Sequence, residues 1–158
     1  TEQLARHYHT DFIPEYAREY IDNLCRPYNY EDVEHIAEEQ RKQAREWKGN
    51  KNRLLFLDTY LVITKVWFKV VFGRYPGWID SELSAGTIDL YLLCDTGIPW
   101  IADAVRENGG EMREKLYGMY KEVLIAQKCN FIEVTGTGLL RTERAIQAVN
   151  SFLGSLQY

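Results

Sequence analysis

The stretch Arg53 to Lys65, RLLFLDTYLVITK, places the tightest limit on how this chain can fold. Leu54, Leu55, Phe56 and Leu57 form an apolar run with no polar alternation, which suits a strand buried on both faces, and strands of that kind are parallel strands covered by helices. Asp58 follows at the C-terminal tip, and a second apolar segment with helical spacing begins at once. Ligands of open α/β sheets collect at that edge, where a rigidly held carboxylate can reach a phosphate or its Mg²⁺. A plain cap on the next helix is the alternative role for Asp58.

With 158 residues, 46% of them apolar and 13% aromatic, the chain has enough material for one core, so a single domain over residues 1–158 with one site is expected. The formal net charge of −4 argues against a general nucleic-acid surface, which needs a basic excess to displace phosphate counterions. Cys25, Cys94 and Cys129 show no C-x-x-C spacing, and buried reduced thiols explain them best. His7, His9 and His35 have no metal-ligand spacing. No charged-then-apolar leader opens the chain, and no apolar run approaches the roughly 20 residues that cross a bilayer. The expectation is a soluble, cytoplasmic protein with neither nucleic acid nor membrane as a partner.

Along the chain, Thr1 to Tyr8 has Leu4, Ala5 and Tyr8 on one helical stripe. Asp11 to Pro14 is a short strand candidate, with Glu15 directly before a helix. From Tyr30 to Lys48 the positions Val33, Ile36, Ala37, Gln40, Ala44 and Trp47 trace one helical face, and Gly49-Asn50 closes it. The helix after Asp58 runs to about Phe72 and breaks at Gly73 to Gly77, GRYPG. A third strand is expected over Ile88 to Cys94, ending at Asp95, then a short helix over Pro99 to Arg106, a Gly109-Gly110 hinge, and a helix from Glu111 to about Gln127. A fourth strand, Phe131 to Val134, enters Thr135-Gly136-Thr137-Gly138, and a last helix carries Leu140, Ala145, Ile146, Val149 and Phe152. Strands alternating with helices call for a parallel sheet sandwiched by helices. Glu15, Asp58, Asp95, and Thr135 with Gly136, then gather on one rim, as a nucleotide-handling edge requires.

The segments PEYAREY (Pro14 to Tyr20), FLDTYLVITKVWF (Phe56 to Phe68), VVFGRYPGWI (Val70 to Ile79), YLLCDTGIPWIADAVREN (Tyr91 to Asn108) and VTGTG (Val134 to Gly138) resemble, in order and over nearly the whole chain, the ribosylnicotinamide kinase domain of NadR-type proteins. That family belongs to the P-loop nucleotide kinases and is grouped with the AAA-family ATPases. The resemblance implies an α/β fold of the P-loop NTPase kind with a helical lid over residues 99–127, and ATP and Mg²⁺ as cofactors. It implies an ATP-dependent kinase in NAD biosynthesis that converts nicotinamide riboside to nicotinamide mononucleotide. It leaves room for a homo-oligomer and for an adenylyltransferase domain fused elsewhere in the natural protein. The family carries G-x-x-x-x-G-K-[ST] immediately before the helix in which this chain starts, and its first strand lies in the middle of the sheet. Loss of a central strand leaves roughly 1 to 3 kcal/mol for each unsatisfied buried group. The expectation is therefore that about 15 to 20 residues, a strand plus loop of ordinary length, belong upstream.

On the residues themselves, Glu15 matches the place where kinases of this architecture keep a carboxylate for the acceptor hydroxyl, with Arg18 one turn on to pair with it or with phosphate. The alternative for Glu15 is a favourable charge at its helix N-terminus. Asp58 is assigned to Mg²⁺ through water, or to the acceptor ribose. The family often has an acidic residue where this chain has Tyr60, a departure that bears on the metal site and on what the acceptor pocket recognises. Arg106 and Arg113 flank the glycine hinge like lid arginines that fork onto phosphate, against plain solvated helix positions. Thr135 to Gly138, with Thr135 and Gly136 as the expected nucleotide contacts, resembles the loop that wraps the adenine of ATP, against an ordinary N-cap by Thr137. Trp67, Trp78 and Trp100, with Tyr60 and Tyr75, include candidates to stack on the acceptor base, against plain core roles. Arg18, Tyr60 and Trp100 are the expected acceptor contacts, and small-molecule nucleosides or nucleotides the expected ligands. A nucleotide-binding regulatory module using ATP or GTP, or an interaction domain without kinase activity, remains the rival reading.

Overall fold

A computed structural model describes residues 1–47, 54–98 and 110–156. The chain forms two compact units, Thr1–Thr87 and Ile88–Tyr158. In the first, α1 (Glu2–Tyr8), β1 (Asp11–Ile13), α2 (Tyr16–Asp22), α3 (Tyr30–Glu46), β2 (Leu55–Leu57), α4 (Leu61–Phe72) and α5 (Trp78–Ser84) follow in order. β1 and β2 pair in parallel, with Asp11 opposite Leu55, Phe12 opposite Phe56 and Ile13 opposite Leu57. The apolar stripe read on α3 is buried: Val33, Ile36 and Ala37 are fully enclosed, with Leu61, Val66 and Phe68 of α4 and Ile79 of α5. The Phe68 ring lies 4.7 Å from that of Tyr30, and the Tyr8 ring stacks on Phe56 at 5.7 Å.

Local chemistry sets the helix ends. Asn29 and Asp32 form a reciprocal capping box at the start of α3, each side chain bonded to the other's backbone N–H, which satisfies donors a helix start leaves free. Gly73 ends α4 in the left-handed region at φ 68°, where a side chain is strained.

The second unit contains β3 (Tyr91–Cys94), α6 (Glu111–Ala126), β4 (Phe131–Val134) and α7 (Gly138–Ser155). β3 and β4 are again parallel, from Tyr91 opposite Phe131 to Cys94 opposite Val134. Leu93, Val123, Leu124, Val134 and Val149 supply its buried side chains. Among the described residues no helix is long and apolar enough to cross a membrane.

Four details differ from the sequence reading. The run Leu54–Leu57 is half-buried, not enclosed on both faces, because among the described residues β2 has a ladder partner along one edge. β3 starts at Tyr91 and not at Ile88, since pairing opens with the Tyr91 N–H on the Asn130 carbonyl at 2.9 Å. The helix α5 was not foreseen after the GRYPG turn. Cys25 and Cys94 are exposed and Cys129 is half-buried, because Cys25 falls in the turn after α2 and Cys94 closes β3. The first part of the range 99–127 expected as a lid, and Gly49-Asn50, lie outside the described residues, while α6 occupies the rest of that range.

Candidate functional site

The parallel register of β1 and β2 brings two carboxylate-bearing tips side by side. The Asp58 N–H donates to the Ile13 carbonyl at 2.9 Å, so the ladder extends past β2 and holds the residue that carries the acid. Pro14 ends β1, and Glu15 stands at the N-cap position of α2 in extended conformation, φ −66° and ψ 94°. Its side chain makes no cap hydrogen bond; it pairs with Arg18, whose Nε donates to Glu15 Oε2 at 3.3 Å. The α2 helix then repeats polar groups at one-turn intervals, so Glu15, Arg18, Glu19 and Asp22 share one face. With Pro14, Asn23 and Asp58 they line an open cleft of about 530 Å³. Asp58 is exposed, and its Oδ1 accepts the Thr1 hydroxyl at 2.7 Å. The N-cap position of α4 belongs to Tyr60, two residues on, so capping that helix is not the task of Asp58 here.

Four carboxylates and one guanidinium on this wall give it a negative potential and hard oxygen donors. The sequence reading missed the neighbouring groove of about 230 Å³, lined by Tyr16, Tyr20 and Leu24 together with Glu19 and Asn23 of the first. Alternation of tyrosine and charge in YAREY was the available signal. The Tyr16 hydroxyl is within hydrogen-bond distance of His35 Nε2, at 3.0 Å, and that of Tyr20 donates to Asp32 at 3.0 Å.

Tyr60, expected as an acceptor contact or as a core residue, is buried. It is 6% exposed, its hydroxyl donates to Glu82 Oε1 at 3.4 Å, and burial first, then the Glu82 carboxylate, pushes its phenol up from the ordinary value. Glu82 itself is buried, where it also accepts Arg45 Nε at 3.0 Å and the Thr87 hydroxyl at 3.1 Å. Trp100 and Arg106 lie outside the described residues.

In the second unit the tips of β3 and β4 are laced together. The Asp95 N–H donates to the Val134 carbonyl at 3.0 Å. Arg141, on the first turn of α7, donates through Nε to the Gly136 carbonyl at 2.7 Å and through Nη2 to the Asp95 carbonyl at 3.0 Å, and also pairs with the Asp95 carboxylate. Arg144 donates to the Thr135 hydroxyl at 2.5 Å. Gly136 has φ 97°, a conformation that favours glycine, and an added Cβ would meet Arg144 at 3.3 Å. Thr137 occupies the N-cap position of α7 without a side-chain cap bond. Arg113, near the Gly110 N-cap of α6, donates to the Ile98 carbonyl at 2.6 Å. The clasp by Arg141 and Arg144 was not read from sequence, although two arginines three apart on the helix after a glycine loop were visible there.

A family model described as an AAA domain matches residues 1–141. The chain belongs to the AAA domain family. Among curated relatives, this AAA domain is 24% identical over 160 aligned residues to the trifunctional NAD biosynthesis/regulator protein NadR of Escherichia coli, an alignment covering 96% of this chain and 38% of that protein. It is 25% identical over 139 residues to the protein of the same name from Salmonella typhimurium, covering 84% of this chain and 33% of that one. The chain thus spans about a third of the length of the curated relatives it matches. As an AAA domain it has the P-loop NTPase-like α/β fold, and the parallel strands with helices between them are its framework.

Proposed function

We propose that this AAA domain transfers a phosphoryl group from ATP to the 5′-hydroxyl of nicotinamide riboside, giving nicotinamide mononucleotide. The observation that carries the reading is the cleft at the C-terminal ends of β1 and β2, where Glu15, Arg18 and Asp58 share one wall. Both relatives are named for NAD biosynthesis, which supports the choice of acceptor.

Phosphoryl transfer depends on in-line positioning and charge neutralisation more than on covalent help. Glu15 accepts the hydrogen bond of the acceptor hydroxyl and orients it for attack. Arg18 keeps Glu15 turned into the cleft, consistent with their contact. Asp58 suits a Mg²⁺ ligand, because that ion is usually held by one or two carboxylates with water and phosphate, and Asp58 is an exposed carboxylate on a rigid strand tip. Bound Mg²⁺ would offset negative charge on the transferred group. In the second unit Thr135 and Gly136 take the adenine edge and Arg113 a phosphate, a reading supported by the positive φ of Gly136. Arg106 and Trp100 keep their proposed lid and acceptor roles. A fused adenylyltransferase domain in the natural protein belongs to the same proposal, supported by the word trifunctional in the relatives' name.

The test is to incubate full-length protein with ATP, Mg²⁺ and nicotinamide riboside and to seek the mononucleotide by mass. Formation of product at a rate that saturates with the riboside is expected. ATP binding without product would refute the kinase reading and favour a nucleotide-binding regulatory module, as the relatives are also named regulators.

A further inference from the structure

Gln40 is an amide where the helical pattern calls for hydrocarbon. The buried face of α3 runs through Val33, Ile36 and Ala37 to Gln40, and the Gln40 residue is as enclosed as these neighbours, at 3% exposure. A buried amide destabilises a fold unless both ends are bonded, and here both are. Its Oε1 accepts the Thr64 hydroxyl of α4 at 2.6 Å, and its Nε2 donates to the Thr59 hydroxyl at 3.1 Å. Leucine in place of Gln40 would fill a similar volume but take away the acceptor of the buried Thr64 hydroxyl, so the bond to Thr64 serves the packing of α3 on α4 and the bond to Thr59 is the one that reaches the turn.

Thr59 follows Asp58 directly. The main chain at Asp58 is tied to β1 through the Ile13 carbonyl, and the next side chain is tied to α3 through Gln40. The carboxylate between these two ties stays exposed on the cleft. We infer that Gln40 is a positioning residue, which through Thr59 fixes the turn between β2 and α4 and so holds the Asp58 carboxylate on the cleft wall. Its use in catalysis rests on the reading of Asp58 as the Mg²⁺ ligand proposed above. A side chain two contacts from the reacting groups then matters because phosphoryl transfer is sensitive to misplacement of the groups that hold the phosphate.

The test compares full-length wild type with Gln40→Leu, Thr59→Val and the double variant, by two measurements. Hydrogen exchange without ligand should show the Asp58 amide exchanging about tenfold faster in Thr59→Val, with the Val33 and Ile36 amides within about twofold of wild type, and a larger rise at Asp58 than at Val33 and Ile36 in Gln40→Leu. In the kinase assay, turnover should fall about tenfold and the Mg²⁺ concentration for half-maximal rate should rise, with KM for ATP changed less than about twofold. The double variant should be no slower than the slower single variant, because either change breaks the same linkage. Unchanged exchange at Asp58, or losses that multiply in the double variant, would overturn the inference. If Gln40→Leu does not fold, Thr59→Val, which leaves the Gln40–Thr64 bond in place, decides by the same exchange and rate measurements. Wild type that makes no mononucleotide would refute the proposed function, and exchange at Asp58 would still decide the positioning role.

Discussion

Asp58→Asn removes one negative charge from the cleft wall and little else. The side chain is exposed, the amide oxygen can still accept the Thr1 hydroxyl now 2.7 Å from Oδ1, and the main-chain bond to Ile13 does not involve the side chain. Stability should therefore stay within about 0.5 kcal/mol of wild type. The effect on rate follows from charge. Opposite unit charges about 4 Å apart interact by about 1 kcal/mol in water and about 4 kcal/mol at an effective dielectric of 20, and an exposed group belongs near the first figure. Against a divalent ion the lower figure doubles to about 2 kcal/mol, a factor of about thirty in rate. Initial rates of mononucleotide formation at saturating ATP and limiting Mg²⁺, with thermal unfolding of the same samples, measure both quantities. The rate should fall at least about tenfold with the unfolding midpoint unmoved. An unchanged rate with a lowered midpoint would mean that Asp58 serves the turn and not the chemistry.

Two further outcomes are expected. Hydrogen bonds from Arg26 hold the Asp32 carboxyl well below its ordinary value, against the opposing effect of burial and with help from the Asn29 N–H and the Tyr20 hydroxyl. Its contribution to stability is thus full above the ordinary carboxylate value of about 3.9 and is lost as pH falls below it, toward the folded value. Denaturant unfolding at pH 7 and pH 3 should show a smaller acid loss for Asp32→Asn than for wild type, and equal losses would contradict the assignment. Arg141→Lys cannot serve the Gly136 carbonyl and Asp95 in the same forked geometry. Loss of one such bond, about 1 kcal/mol, should weaken ATP binding about fivefold by titration. Unaltered ATP binding would separate the Thr135–Gly136 loop from the nucleotide.

Periodicity carried most of the fold. The stripe from Val33 to Gln40, the run ahead of Asp58 and the stop at Gly73 are local signals, and the structure uses each of them. The parallel direction of both strand pairs also followed from the alternation of strands and helices. What escaped depends on distant partners. α5 is seven residues long, and its buried Glu82 is held by Arg45, 37 residues earlier, as well as by Tyr60 and Thr87. The same contact turns Tyr60 inward, which the sequence around Asp58 does not reveal. In the second unit, the glycines of VTGTG showed that the backbone must turn there. Which carbonyl Arg141 would hold was set by the helix geometry of α7 and could not be read from composition. Glu15 and Asp58 meet on one cleft because strand register is a long-range property that the individual segments do not encode, although the parallel topology made the meeting foreseeable.

The tether from Asp58 to Ile13 joins one peptide group to another, so it is indifferent to which side chains surround it. Substitutions along the α2 face therefore leave the main-chain anchor of the acid untouched.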